Sequence, residues 1–297
     1  MRPAPLPGFG MGLGWLALAL TAAVLNGFST LAAKPSADRL GTRAMSVGAT
    51  LTEGIAFGVA GLVSVRSPLS VGVAVVLAAL AAGFLGGTGY LFFFAGMRRG
   101  SVGLVGTISA TAPVLTVLLG VTFLSEVLAG LQVLGIVATI ACVLLLTVEP
   151  RHRTAGRRAA VVFSLGGFLT WGLWGFLVKA SVDALGEGSL FLLLAVGYLG
   201  IAAMAALLGR NHGVPRPNPS RRIWAIGIWV FVSGSIAAIV LTAAYDSGPA
   251  ALVAPVSATY PVIATLGAAA FLKEKLDWRV GVALLLFVTG ITLLSTA

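Results

Sequence analysis

The chain has 297 residues, 58% of them apolar and only 9% charged, with 39 glycines and a net charge of +10. Soluble domains carry roughly 25% charged residues, so this composition cannot cover a water-facing surface, whereas a lipid-facing one needs few charges. The basic residues sit in short loops between apolar stretches, which argues against a nucleic-acid-binding domain and fits the loop charges of a membrane protein.

A spanning helix needs about 20 mostly apolar residues. Ten stretches qualify: 12–33, 43–65, 70–97, 101–124, 128–147, 159–178, 188–209, 222–245, 249–272 and 278–296. The expected fold class is therefore all-α and membrane-integral, with ten transmembrane helices. Residues 1–10 hold one arginine and three prolines and lead into the first span, which lacks a small-residue cleavage site and reads as a helix, not a signal peptide.

The first span carries Asn26, a buried amide that needs partners and is a candidate polar contact in a cavity. The second carries Glu53. Of 19 basic and nine acidic side chains, only this one falls near the centre of a span. A charge there costs about 2.5–3.5 kcal/mol or more on insertion scales, so it faces the bundle interior with a partner. Such a carboxyl suits reversible protonation, and Glu53 is the candidate for proton coupling and for pairing with a cationic substrate group. The third span has Tyr90 as a weaker cavity candidate, followed by Phe92–Phe94, read as packing or lipid-facing residues.

In the fourth span Pro113 predicts a kink, and it frees a carbonyl one turn back. Ser109 and Thr111 lie within that turn, either to bond the carbonyl or to face a substrate. The fifth span holds Cys142, the only cysteine, so no disulfide forms within the chain. Residues 148–158 form a basic linker. In the sixth span Trp171 and Trp174 share one face, suited to an apolar cavity wall or to capping a cation. Trp15, Trp224 and Trp278 fit the interfacial belt better. The loop over 210–222 is rich in proline and arginine. In the ninth span Ser257, Thr259, Tyr260 and Pro261 repeat the arrangement of the fourth, with Tyr260 a candidate hydrogen-bonding phenol. His152 and His212 both lie in polar loops and no cluster has metal-ligand spacing, so nothing calls for a metal, a cofactor or a catalytic residue.

An internal repeat organises these spans. Lys34, Ser36, Asp38, Leu40 and Gly41 recur as Lys179, Ser181, Asp183, Leu185 and Gly186, 145 positions on. Ser109, Thr111, Pro113, Phe123 and Glu126 recur as Ser257, Thr259, Pro261, Phe271 and Glu274, 148 positions on. The expected units are 1–147 and 159–297, each with five spans. Because five is odd, the second unit enters the membrane with opposite orientation, and the two are related by a pseudo-two-fold axis in the membrane plane. A binding site is then expected between the halves near mid-membrane, with one half rocking on the other. Lys34 and Lys179 read as interfacial anchors, with anion binding as the alternative. Glu126 and Glu274 read as structural, bonding amides at the start of the next helix. Loops on one side carry 16 of the 19 basic residues, which places them in the cytoplasm and both termini outside a cell (inner or plasma) membrane.

The two end segments, 100–148 with Ala110, Pro113, Glu126 and Gly135, and 248–297 with Ala258, Pro261, Glu274, Gly281 and Gly290, together with Trp171 and Trp174, resemble the ten-helix EamA type of the drug/metabolite transporter superfamily. The likeness spans nearly the whole chain, although Asn26 stands where Trp171 would align. The resemblance implies a secondary carrier working by alternating access, most often exporting amino acids or other small metabolites. Cation or drug exporters and lipid-linked precursor flippases share the architecture. The implied partners are the lipid bilayer and a small-molecule solute. An intramembrane enzyme finds no supporting motif.

Overall fold

The computed structural model describes residues 13–65, 71–99, 105, 108–147, 157–208, 219–272 and 278–295. Within them every regular element is a helix. In chain order these are α1 (Gly14–Ala33), α2 (Ser36–Ser64), α3 (Val73–Met97), α4 (Ile108–Phe123), α5 (Gly130–Thr147), α6 (Arg157–Leu185), α7 (Glu187–Leu208), α8 (Arg221–Ser247), α9 and α10 (Trp278–Ser295). The ninth comes in two pieces, Ala250–Ser257 and Tyr260–Leu272. Among the described residues eight spans are long and apolar enough to cross a membrane, and α4 and α5 are shorter apolar helices. Most of the linker over 148–158, the loop over 210–218, His152, His212 and Glu274 lie outside the described residues, as does the side chain of Lys34.

The helices carrying the first repeated motif outrun their apolar stretches. The chain stays helical from Gly14 to Ser64 apart from one break, at Gly41 (φ 81, ψ 158). In the second repeat α6 continues to Leu185, because Lys179 and Asp183 stand four apart and pair at 2.9 Å on one helical face. It then stops at Gly186 (φ 73), whose amide donates to the Val182 carbonyl at 2.8 Å. Gly41 and Gly186 are the only glycines with positive φ among the described residues. They are also counterparts at offset 145. Only glycine adopts this backbone without strain, so each motif ends in the residue that stops its helix.

The second motif breaks α4 and α9 at matching threonines. Thr111 and Thr259 close a turn there, each hydroxyl donating to the carbonyl three residues back, Ile108 and Val256, at 2.7 Å. Pro113 and Pro261 sit in the first turn after each break, where a missing N–H is tolerated. The expected mid-span kinks are thus helix restarts.

The two repeats interleave. α1 and α2 pack on α8, α3 packs on α6 and α7, and α5 packs on α10. Contacts within a repeat are sparse by comparison. Most of the packed surface therefore lies between the two sequence halves. Two groups of packed helices draw on both repeats, α1 and α2 with α8 and their counterparts α6 and α7 with α3, and the two groups share a further large interface through α7.

These groups meet along an antiparallel seam of small residues between α2 and α7. A Cβ on Gly54 would come within 2.8 Å of Leu199, one on Gly61 within 2.8 Å of Leu192, and one on Gly58 would lie 3.7 Å from Ala195. Small residues let helices approach where no hydrophobic force drives them together. Gly54 faces its own counterpart at offset 145, so the pseudo-two-fold axis crosses the seam at that point. On the outside Leu62, Val63, Leu77, Leu207 and Val288 are exposed, as a lipid-facing surface requires. Trp224 and Trp278 are exposed too, but Trp15 is buried against Gly248 and takes no part in a belt.

Candidate functional site

A cavity of about 200 Å³ lies between the repeats. Asn26, Ser29 and Thr30 of α1, Glu53 of α2, Tyr90, Phe93 and Phe94 of α3, Ser109, Pro113 and Thr116 of α4, Trp171 and Trp174 of α6, Tyr198 of α7, Tyr245 of α8, and Ser257 and Tyr260 of α9 all line it. Eight of the ten residues singled out as substrate contacts are thus brought together. Thr111 and Thr259 are not on the wall, since their hydroxyls close the turns at the helix breaks. Pro261 is also absent from it. Phe93 and Phe94, read as packing or lipid-facing, do line it.

Glu53 is 2% exposed. The phenols of Tyr90 and Tyr198 stand beside its carboxyl on the same wall. A buried acid needs such partners, because an unsatisfied one in a water-poor site costs far more than the hydrogen bond returns. Tyr198 is the counterpart of Glu53 at offset 145. Two counterparts touch only where they lie beside the symmetry axis, and the α2–α7 seam places them there. The repeat therefore carries an acid and a phenol in the two copies of one position, and the fold joins them.

Glycines on α3 make room for the aromatic wall. A Cβ at Gly86 would lie 2.8 Å from the Trp174 ring, and one at Gly89 would run into the Trp171 ring. These glycines stand three apart with Gly83, which meets the Leu194 backbone of α7. The Trp171 indole donates to the Gly86 carbonyl at 3.3 Å, which fixes its ring. That ring stands edge-on to Tyr90, centroids 5.6 Å apart, and beside Phe93 at 5.3 Å. Trp174 stands edge-on to Tyr245 at 6.1 Å. Two buried polar atoms on the wall have no partner, Ser109 Oγ and Trp174 Nε1.

The cavity wall extends past Ala33, Ala49 and Val230, toward the membrane face of the basic α1–α2 and α7–α8 loops. At the opposite face it stops at a packed layer. There Glu126 accepts from the Ala250 and Ala251 amides at 2.7 and 2.8 Å, so it caps α9 of the other repeat and not the next helix. The start of α5 is instead held by Gln132, which accepts from the Ala129 amide at 2.8 Å. Ser125, at φ 55, turns the chain back between the two. Lys179 donates to Asp183 and to the Tyr245 carbonyl, both at 2.9 Å, so its ammonium ties α6 to α8. An anion site at Lys179 would have to displace both.

Tyr245 had no signal of its own in the sequence, being one tyrosine near the end of an apolar span. Ser29 had one that went unread: it is the counterpart of Trp174 at offset 145.

Ten apolar helices in two repeats around a central cavity define a polytopic membrane transporter of the inverted-repeat kind. A crystal structure of a protein 18% identical to this chain matches it with a TM-score of 0.77, covering 95% of this chain and 96% of the other, and shares its fold. Among curated proteins none matches it in sequence. The sequence profile of the EamA-like transporter family matches twice, over residues 13–148 and 158–296, and the chain belongs to that family.

Proposed function

We propose that this transporter is a proton-coupled secondary carrier that exports a small organic metabolite by alternating access. The observation that carries the reading is Glu53: a buried acid on the cavity wall, at the crossing of the repeats, with a phenol from each of them beside it. A proton on this carboxyl and a solute in the cavity occupy neighbouring places, so the binding of one alters the binding of the other. The cavity extends toward the basic loops, which the charge asymmetry assigns to the cytoplasm, so export follows from loading on that side. Small metabolites in different charge states, amino acids among them, are the solutes to compare.

The test is transport by the purified protein in proteoliposomes under an imposed pH gradient. Wild-type protein is expected to move solute against its gradient when protons flow the other way. Glu53→Gln, which keeps the shape but not the exchangeable proton, is expected to lose proton-driven accumulation. Full proton-coupled activity in that variant would refute the role of Glu53.

A further inference from the structure

The charge balance of the cavity says more about the solute than its size does. Among the described residues its wall carries one ionisable acid, Glu53, and no lysine, arginine or histidine. The rest is aromatic and aliphatic surface with neutral hydroxyl, amide and indole groups. The two hydroxyls beside Glu53 are phenols, which are neutral.

A buried anion without a paired cation is heavily disfavoured. A phosphorylated or dicarboxylic solute finds no counter-charge here. A zwitterionic amino acid is mismatched in either state of Glu53. With the carboxylate ionised, its ammonium is paired and its own carboxylate is left over; with the acid protonated, the ammonium loses its partner. A solute of net charge +1 leaves nothing over. Its nitrogen pairs with ionised Glu53, and the faces of Trp171 and its aromatic neighbours attract cations on their own account. The unpartnered indole N–H of Trp174 gives directionality, since an indole only donates and awaits an acceptor.

We infer that the solute is a monovalent organic cation with an aromatic or apolar body, whose nitrogen lies against Glu53 and whose hydrogen-bond acceptor, where it has one, takes the Trp174 N–H. The inference rests on the reading of this cavity as the transport site and names its substrate class. Exchange balances simply. The O–H bond of the protonated Glu53 breaks, the electron pair stays on oxygen, the proton leaves to water, and the ammonium takes its place beside the carboxylate.

One aromatic ring in different charge states tests this on the full-length protein in detergent. Binding is measured for phenethylamine and benzyltrimethylammonium (cations), phenylalanine (a zwitterion) and phenylpropionate (an anion). Both cations are expected to bind at least about tenfold more tightly than phenylalanine, and phenylpropionate weakest. Glu53→Gln is expected to reduce cation binding by about tenfold or more, and Glu53→Asp to keep part of it. The ligand series on wild-type protein decides the matter even if Glu53→Gln fails to fold. Phenylalanine binding as tightly as the cations, failure of both cations to bind, or unchanged cation binding in folded Glu53→Gln each overturns the assignment. Proton-driven movement of any solute in the liposome assay would still uphold the transport reading, so the two failures are distinguishable.

Discussion

At the scale of single residues the site is a set of neutral groups arranged around one acid. Tyr198 stands beside that acid from α7 while its ring packs at 5.5 Å from Phe57 and its hydroxyl fills the space above Gly86. Tyr198→Phe removes the donor and keeps the ring. A hydrogen bond to a charged group contributes roughly 1.5–3 kcal/mol and one to a neutral group about 1. The protein is therefore expected to fold with a loss of about 1–3 kcal/mol, with proton-coupled transport reduced and the cavity otherwise intact; transport in liposomes beside a melting curve in detergent checks both parts. Normal coupling in Tyr198→Phe would leave Tyr90 as the only phenol that matters. Glu53 was legible because a charge in an apolar run stands out against its surroundings. Its partner Tyr198 was visible only through the repeat, as the residue that replaced the acid. Thr111 and Thr259 were legible as polar residues but not as turn-closing ones, because a hydroxyl within a turn of a proline can face either the backbone or a ligand and the sequence does not choose.

At the scale of elements the repeated motifs are punctuation. Gly41 breaks the helical run from Gly14 to Ser64, Gly186 stops α6, and the threonine–proline pairs restart α4 and α9. Their spacing was readable, and so was their pairing across the repeat. The partner of Glu126 was not, because local reasoning offers the next helix, and the left-handed Ser125 sends the carboxylate to a helix more than a hundred residues away. A carboxylate at a helix N-terminus is favoured by both the amide bonds and the helix dipole. Glu126→Ala leaves the amides of Ala250 and Ala251 without this acceptor in a layer where residues 250–256 are almost wholly buried. The expected cost is about 1–3 kcal/mol, with Glu126→Gln intermediate because it keeps one acceptor oxygen. Thermal unfolding in one detergent should rank wild type above Gln and Gln above Ala. An unchanged melting point in Glu126→Ala would mean that this layer does not hold the closed face.

At the scale of the whole molecule, ten helices and two repeats were readable from hydropathy and duplication, but their interleaving was not, because sequence proximity says nothing about which faces pair. The consequence for motion is testable. In an inverted repeat the opposite-facing state is reached when the two copies exchange conformations. A contact between counterparts maps onto itself in that exchange, so the Gly54–Leu199 crossing persists in both states while contacts far from the axis break. Gly58 and Ala195 lie one turn along the same seam, and a Cβ on Gly58 would stand 3.7 Å from that of Ala195, within the range a disulfide requires. Their exchange partners, Thr50 and Ala203, fall on the same line by register. Cys142 is the only native cysteine, so a Cys142→Ser background leaves the engineered pair alone. Gly58→Cys with Ala195→Cys is expected to oxidise readily and to keep at least about half of its transport, because the crosslink joins surfaces that stay in contact while the two bundles pivot. Half-against-half rocking predicts the opposite, since it would slide α2 of one repeat past α7 of the other. Transport lost on oxidation and regained on reduction would therefore overturn the cross-repeat bundles as the moving bodies.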